Sequence, residues 1–352
     1  MHAVKLFVVR AKGKNARQDR DSLFISIGAR APKSTFGPIS FSSMSAPATA
    51  QTYTHREVVV TELLLIVMAL VWGANFTVNK YGTNVLPPLV YNSIRMTVGT
   101  LAMFIVILSN RDKLPTSSEI KRLLILGVLG HGAYQLLFIF GLTRTRAGTA
   151  ALMIASSPAI IAIVLRVFRN ERLKARSIAG IALSLLGIAV VIAGSARSAH
   201  GDSSVLGDAM ILLATACWAF FTMWLKPFHH LDGTQLAGWT LLGGTVPLIL
   251  LAMPQIATTD FGQVTPMTWS AIAYSGALSM GLAYLCWYRG VRVIGPTRTA
   301  MFSNLQPIVA VLVAWPLLGE QPTVWQGLGA AAVMAGLLLT RQPPATEPAH
   351  GE

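Results

Sequence analysis

Residues 141–173 read GLTRTRAGTAALMIASSPAIIAIVLRVFRNERL, and residues 290–322 read GVRVIGPTRTAMFSNLQPIVAVLVAWPLLGEQP. The two stretches align without a gap at an offset of 149, so that Pro158 meets Pro307 and Glu171 meets Glu320. The same offset carries Gly180 onto Gly329 and Gly187 onto Gly336. Upstream, an offset of 146 carries Trp72 onto Trp218 and Lys80 onto Lys226. Glycines and prolines recur by chance in any apolar chain, but chance does not hold one register over so long a run. A duplicated hydrophobic block points to a membrane transporter built from two halves.

The composition agrees. Of the 352 residues, 53% are hydrophobic and 12% charged, where soluble domains carry about 25% charged residues. The mean hydropathy is +0.57. Such a surface is made to meet lipid. The net charge of +14 would suit nucleic acid, but the basic residues sit in a tail and in short loops between apolar runs, so no nucleic-acid partner is implied. Cys217 and Cys286 lie inside apolar segments and form neither a disulfide framework nor a metal spacing. No cofactor is implied.

Residues 1–56 are basic and rich in Ser and Ala, with only Asp19 and Asp21 as acids. They lack the apolar core of a signal peptide. The expectation is a disordered tail, with Met44 as an alternative start and an organellar transit peptide as another reading. A second disordered tail is expected over 342–352. Between them lie a first repeat over 57–195 and a second over 206–341.

A helix needs roughly 20 apolar residues to cross the hydrocarbon, and lipid leaves no backbone group free. Spans are expected near 58–79, 87–108, 120–141, 147–166, 177–194, 206–226, 236–254, 268–288, 298–318 and 322–340. The fold class is therefore an all-α integral membrane protein with ten spans. Lys and Arg gather on cytoplasmic sides. With the N-terminus inside, Arg111, Lys113, Lys121, Arg122, Arg166, Arg169, Arg172, Lys174 and Arg176 fall there. So do Lys226, Arg289, Arg292, Arg298 and Arg341, against only Lys80, Arg144, Arg146 and Arg197 opposite. Both termini are thus expected in the cytoplasm. Five spans per repeat is an odd number, so the second copy runs upside down relative to the first.

Several segments resemble a known family. LVWGANFTVNK (70–80) is similar to the opening motif of EamA-type carriers of the drug/metabolite transporter superfamily. GDAMILLATACWAFFTMWLK (207–226) resembles the start of their second repeat. VFRNERL after Pro158, and PLLGEQP after Pro307, resemble the proline-then-Gly-Glu signature of each repeat's fourth span. The resemblance covers about residues 58–340. Asn170-Glu171 departs from the usual Gly-Glu, and Arg146-Ala147-Gly148 is more basic than usual. The resemblance implies two inverted five-helix repeats around a central cavity lined by the third and eighth spans. It also implies export or exchange of small metabolites, amino-acid-like compounds or drugs across the inner membrane. A monomer or homodimer in the lipid bilayer fits.

Arg95 is the one charge well inside a span. A charge there is costly and faces the interior or a wet cavity. It is either a counter-charge for a substrate carboxylate or phosphate, or a structural partner of helix carbonyls. His131, Tyr134 and Gln135 are spaced to share one face of the third span. Their repeat partners are Met280, Ala283 and Tyr284, and Trp287 pairs with Phe138. These residues line a cavity or fill a core. Trp72, Asn75 and Asn79 follow one face of the first span, as cavity groups or as interhelical glue. Trp218 is the matching aromatic, whereas Trp224 reads as an interfacial anchor. Asn304, just before Pro307, is a further candidate substrate-binding residue. Pro158 and Pro307 are candidate hinges, each freeing a carbonyl one turn upstream. Glu171 and Glu320 read as caps or repeat-end latches.

None of the fourteen acids is mid-span, which argues against a buried carboxylate relay. His131 remains as a proton-coupling candidate. The competing classes are an intramembrane enzyme, and a membrane sensor or scaffold. No H-E-x-x-H, G-x-S-x-G or Walker A motif supports catalysis, so no catalytic residue and no metal ligand is assigned.

Overall fold

The computed structural model describes residues 53–110, 114–169, 175–197, 204–228 and 230–340. These residues are all-helical, with no strand among them. The expected tails lie outside the described residues, apart from positions 53–56, where the first helix begins.

Helix α1 (His55–Val85) starts sharply because Thr54 and Glu57 form a reciprocal cap, the Thr54 amide donating to Glu57 at 2.8 Å. Helix α2 runs Pro88–Ser109. Helices α3 (Ser117–Gly127) and α4 (Tyr134–Leu142) form one rod joined by a π-helical stretch, Val128–Ala133. After α5 (Ala147–Ala155) and α6 (Ser157–Arg169), α7 (Ala175–Arg197) closes the first repeat. The second repeat follows the same plan. It comprises α8 (Val205–Leu225), α9 (Gly233–Thr258), and a rod of α10 (Pro266–Ala273), a π-helical stretch Tyr274–Leu282, and α11 (Ala283–Val293). Helices α12 (Pro296–Ser303), α13 (Gln306–Leu318) and α14 (Val324–Thr340) end it.

Among the described residues seven helical stretches are long and apolar enough to cross a membrane: α1, α2, the α3–α4 rod, α7, α8, α9 and Met301–Leu318, which joins α12 to α13. The pair α5 and α6 would add an eighth, but it is bent by 40°. The apolar stretch Val324–Leu339 is shorter. Large apolar side chains such as Leu108, Ile125 and Leu317 face outward, as a lipid-facing surface requires.

Both proline sites interrupt their span rather than bend a continuous helix. The break falls at Ser156 before Pro158, and at Asn304-Leu305 before Pro307. The carbonyl that Pro158 frees is not left open as a ligand group. The Ser157 hydroxyl donates to Ile154 O, and Ser156 donates to Met153 O at 2.6 Å.

The two copies meet at α7 and α14 through glycine. A Cβ on Gly187 would lie 2.8 Å from Gly329 O, and one on Gly336 would lie 2.4 Å from Gly180 O. Exchanging the repeats turns the first contact into the second. Between them, Ser184 donates to Val333 O at 3.4 Å, and these two residues are themselves repeat partners. Contacts whose residue numbers rise on one helix as they fall on the other mean that α7 and α14 run antiparallel. The same exchange relates Gly141, packed on Ile211, to Gly290, packed on Leu65. Helices α2 and α9 also run antiparallel, with the Thr100 and Thr245 hydroxyls 2.8 Å apart and Gly238 beneath Ile107.

Replacing Gly187 by Val should force α7 and α14 apart and destabilise the fold by about 1–3 kcal/mol. Thermal unfolding of the detergent-solubilised protein measures this. Ser184→Ala, which removes only one long hydrogen bond, should leave the transition nearly unchanged.

Candidate functional site

Helices α1 and α8 are repeat partners, as are the α3–α4 and α10–α11 rods, and all four carry aromatic side chains to a common region. The rings form a continuous chain. Trp287 meets Trp72 at 5.9 Å between centroids, Trp72 meets Tyr284 at 5.6 Å, and Tyr284 meets His131 at 6.3 Å. His131 then contacts Trp218 at 5.9 Å and Phe221 at 5.3 Å. Tyr134 continues it, 5.6 Å from Trp218 and 5.9 Å from Phe138. Edge-to-face pairs at such spacings are favourable.

The polar tips of this chain matter more than its rings. Among the described residues no hydrogen bond reaches the imidazole of His131, the hydroxyls of Tyr134 and Tyr284, or the indole N–H of Trp218 and Trp287. Asn75 Oδ1 is buried without a partner. Tyr134 and Tyr284 lie deep in the bundle yet keep part of their surface accessible. Trp72 is the exception, since its indole donates to Ser279 O at 2.9 Å in the second π-helical stretch. Such stretches are rare and concentrate at functional sites, and here both repeats carry one at matching positions.

A second, wholly polar cluster lies beside the aromatic chain. Arg95 is 1% exposed. It donates to Asn92 Oδ1 at 3.0 Å, to Ser275 Oγ at 3.1 Å and to Gln135 Oε1. Ser275 donates onward to Asn79 Oδ1 at 2.7 Å, and the Tyr91 hydroxyl to the same oxygen at 3.3 Å. Asn79 Nδ2 has no partner. Every acceptor of the guanidinium is neutral, and no carboxylate of the described residues is within ion-pairing distance of it.

The sequence places His131, Tyr134 and Gln135 on one face, and the structure divides them. His131 and Tyr134 join the aromatic chain, whereas Gln135 turns to Arg95. The π-helical stretch between Val128 and Ala133 breaks the 3.6-residue period on which the shared face rests. Asn79 enters the polar cluster, whereas Asn75, one turn before it, makes no side-chain hydrogen bond to that cluster. Asn304 lies half-buried at the break between α12 and α13, with no ring contact or side-chain hydrogen bond to either cluster. Trp224 is 49% exposed, as an interfacial anchor would be. Asn92, Ser275 and Phe221 were not expected. Asn92 is one turn before Arg95, and Phe221 is the repeat partner of Asn75, so both carried a signal. Ser275 carried none.

At the far end of α1 from Glu62, a partly buried ion pair ties the repeats together. Lys80 Nζ lies 2.9 Å from Glu320 Oε1 and donates to Thr145 O at 2.6 Å. The other Glu320 oxygen accepts from the Ala147 amide at 2.8 Å, where the first turn of α5 favours a negative charge. Gly319, left-handed at φ 70°, ends α13 and turns Glu320 back into this position. The expected latch role of Glu320 therefore has a geometry. Glu171 lies outside the described residues.

The model of the EamA-like transporter family matches residues 59–193 and again 205–342. The chain belongs to this family. Among its relatives, the uncharacterized transporter YyaM of Bacillus subtilis is 26% identical over 281 residues, covering 78% of this chain and 92% of that protein. A probable amino-acid metabolite efflux pump of Salmonella typhimurium is 28% identical over 289 residues, covering 78% and 93%. A probable terminal-alkyne amino-acid exporter of Streptantibioticus cattleyicolor is 25% identical over 276 residues, covering 78% and 91%. A solved crystal structure shares the fold with a TM-score of 0.56 at 18% identity, over 80% of this chain and 98% of that one. The apolar helices and the family together make this a multi-pass membrane transporter.

The two clusters should respond differently to truncation. Asn79→Ala removes the acceptor that Tyr91 and Ser275 share and should cost about 1–3 kcal/mol of stability. Tyr134→Phe removes a hydroxyl that no protein group uses and should stay within about 0.5 kcal/mol. Thermal melts of the two variants compare them directly.

Proposed function

We propose that this protein is a secondary carrier that moves small amino-acid-like metabolites or drugs across the inner membrane by alternating access, as an exporter or exchanger. The observation that carries the reading is the set of polar tips without protein partners. In a bilayer an unsatisfied polar group is costly, so such groups gathered between two repeats suit a site that a solute fills. Rings supply the apolar contact and a few polar groups the orientation. Trp72, Asn75, Tyr134, His131, Trp218, Tyr284 and Trp287 are its proposed wall, with Asn79, Arg95 and Gln135 at its polar margin. Asn304, Pro158 and Pro307 are assigned to hinge motion. Relatives named as an amino-acid metabolite efflux pump and an amino-acid exporter support the solute class.

The antiparallel α7 and α14 support a reading of ten spans in inverted repeats, with α5–α6, α10–α11 and α14 each counted as one crossing. With both termini cytoplasmic, the Lys80–Glu320 pair lies at the outer face. Its repeat partners in sequence are Lys226 and Glu171.

Uptake of labelled amino-acid-like compounds into sealed vesicles tests the function: a carrier delivers the label unaltered, and its chemical conversion would mark an enzyme instead. If His131 couples protons, His131→Ala should lose the stimulation by a pH gradient, and unchanged stimulation removes it from the mechanism. In a background of Cys217→Ser and Cys286→Ala, an Asn75→Cys reporter checks alternation with an impermeant thiol reagent added from outside. Glu320→Gln should raise its labelling several-fold.

A further inference from the structure

We infer that the solute is an aromatic or apolar monoanion whose carboxylate or sulfonate is held by Arg95, and that its export is driven by the membrane potential. The inference rests on the carrier reading and deepens it. Arg95 has five N–H donors and makes three hydrogen bonds, each to a neutral oxygen. Two donors are left. Asn79 Nδ2, fully buried and without a partner, is a third. Both groups bond the same Ser275 hydroxyl, so the spare donors lie around one small volume. The cluster carries a positive charge, a surplus of hydrogens and no carboxylate.

An anionic oxygen pair corrects all three at once, and a guanidinium fork suits it best. Gln135 holds the guanidinium in the structure through a single amide oxygen. It is chain neighbour to Tyr134, so the group that keeps Arg95 in place borders the aromatic chain. The anion takes over the place of that oxygen while the body of the solute lies among Tyr134, Tyr284 and Trp218. An α-ammonium group has no acid to meet there, so a zwitterion gains less than the corresponding anion.

The charge has a thermodynamic consequence. Arg95 stays with the protein, so each outward passage carries one negative charge out of the cell. An interior at −100 mV then supports an outward gradient on the order of 50-fold with no proton relay. This fits a set of spans with no mid-membrane acid.

The test uses the full chain and four probes of one shape: 3-phenylpropanoate, phenylalanine, 3-phenylpropanamide and 3-phenylpropylamine. Binding is followed by quenching of tryptophan fluorescence. The anion should bind at least tenfold more tightly than the other three. Arg95→Lys should keep that preference, and Arg95→Gln should abolish it. Labelled 3-phenylpropanesulfonate, permanently charged, should enter liposomes in response to an interior-positive potassium-valinomycin potential. Equal binding of the amide, no binding by the anion, or uptake indifferent to potential overturns the inference. Should Arg95→Gln fail to fold, the comparison of the four probes on the unaltered protein decides alone. If the amide or amine crosses sealed vesicles while the anion does not, the anion site falls and the carrier stands. If no probe moves or binds, both fall.

Discussion

In hydrocarbon a polar group has only the protein to bond with, and this constraint organises the whole molecule. It makes every crossing helical, because a helix satisfies its own backbone. It explains why the Ser156 and Ser157 hydroxyls turn back to the carbonyls near the proline break. It also explains why Arg95 is wrapped in amide and hydroxyl oxygens. Where the rule is obeyed the structure is being held together. Where it is broken, as at Asn75 and Asn79, a buried polar atom is left without a protein partner.

The repeats give that region its position. Contacts between halves are backbone against backbone, glycine to carbonyl, on the antiparallel pair α7 and α14 and again where Gly127 and Gly243 bring α3 against α9. Small residues permit such approach where lipid offers no hydrophobic drive for helices to associate. The axis relating the halves passes by Ser184 and Val333. Aromatic residues from α1 and α4 therefore face their counterparts from α8 and α11.

Much of this was readable in the chain. The duplication is written in residue identities, and the glycines at the 149 offset turned out to be the contacts that join the copies. The aromatic wall was legible because Trp72 and Trp218 sit at matching positions. Two things were not legible. A π-helical turn leaves no periodic trace, so the divergence of Gln135 from His131 and Tyr134 had no signal. Ser275 is a serine on a distant helix, and only the folded chain brings it to Arg95 and Asn79. The carboxylate of Glu320 was recognisable as an end group, but its reach to Lys80 and to the Ala147 amide depends on a left-handed Gly319.

Trp72 and Trp218 are the same residue in two copies, yet only Trp72 has a hydrogen bond, to Ser279 O. One indole is tied to the backbone of the second π-helical stretch and the other is not, so the two tryptophans sit in unlike surroundings and report on their own repeats separately.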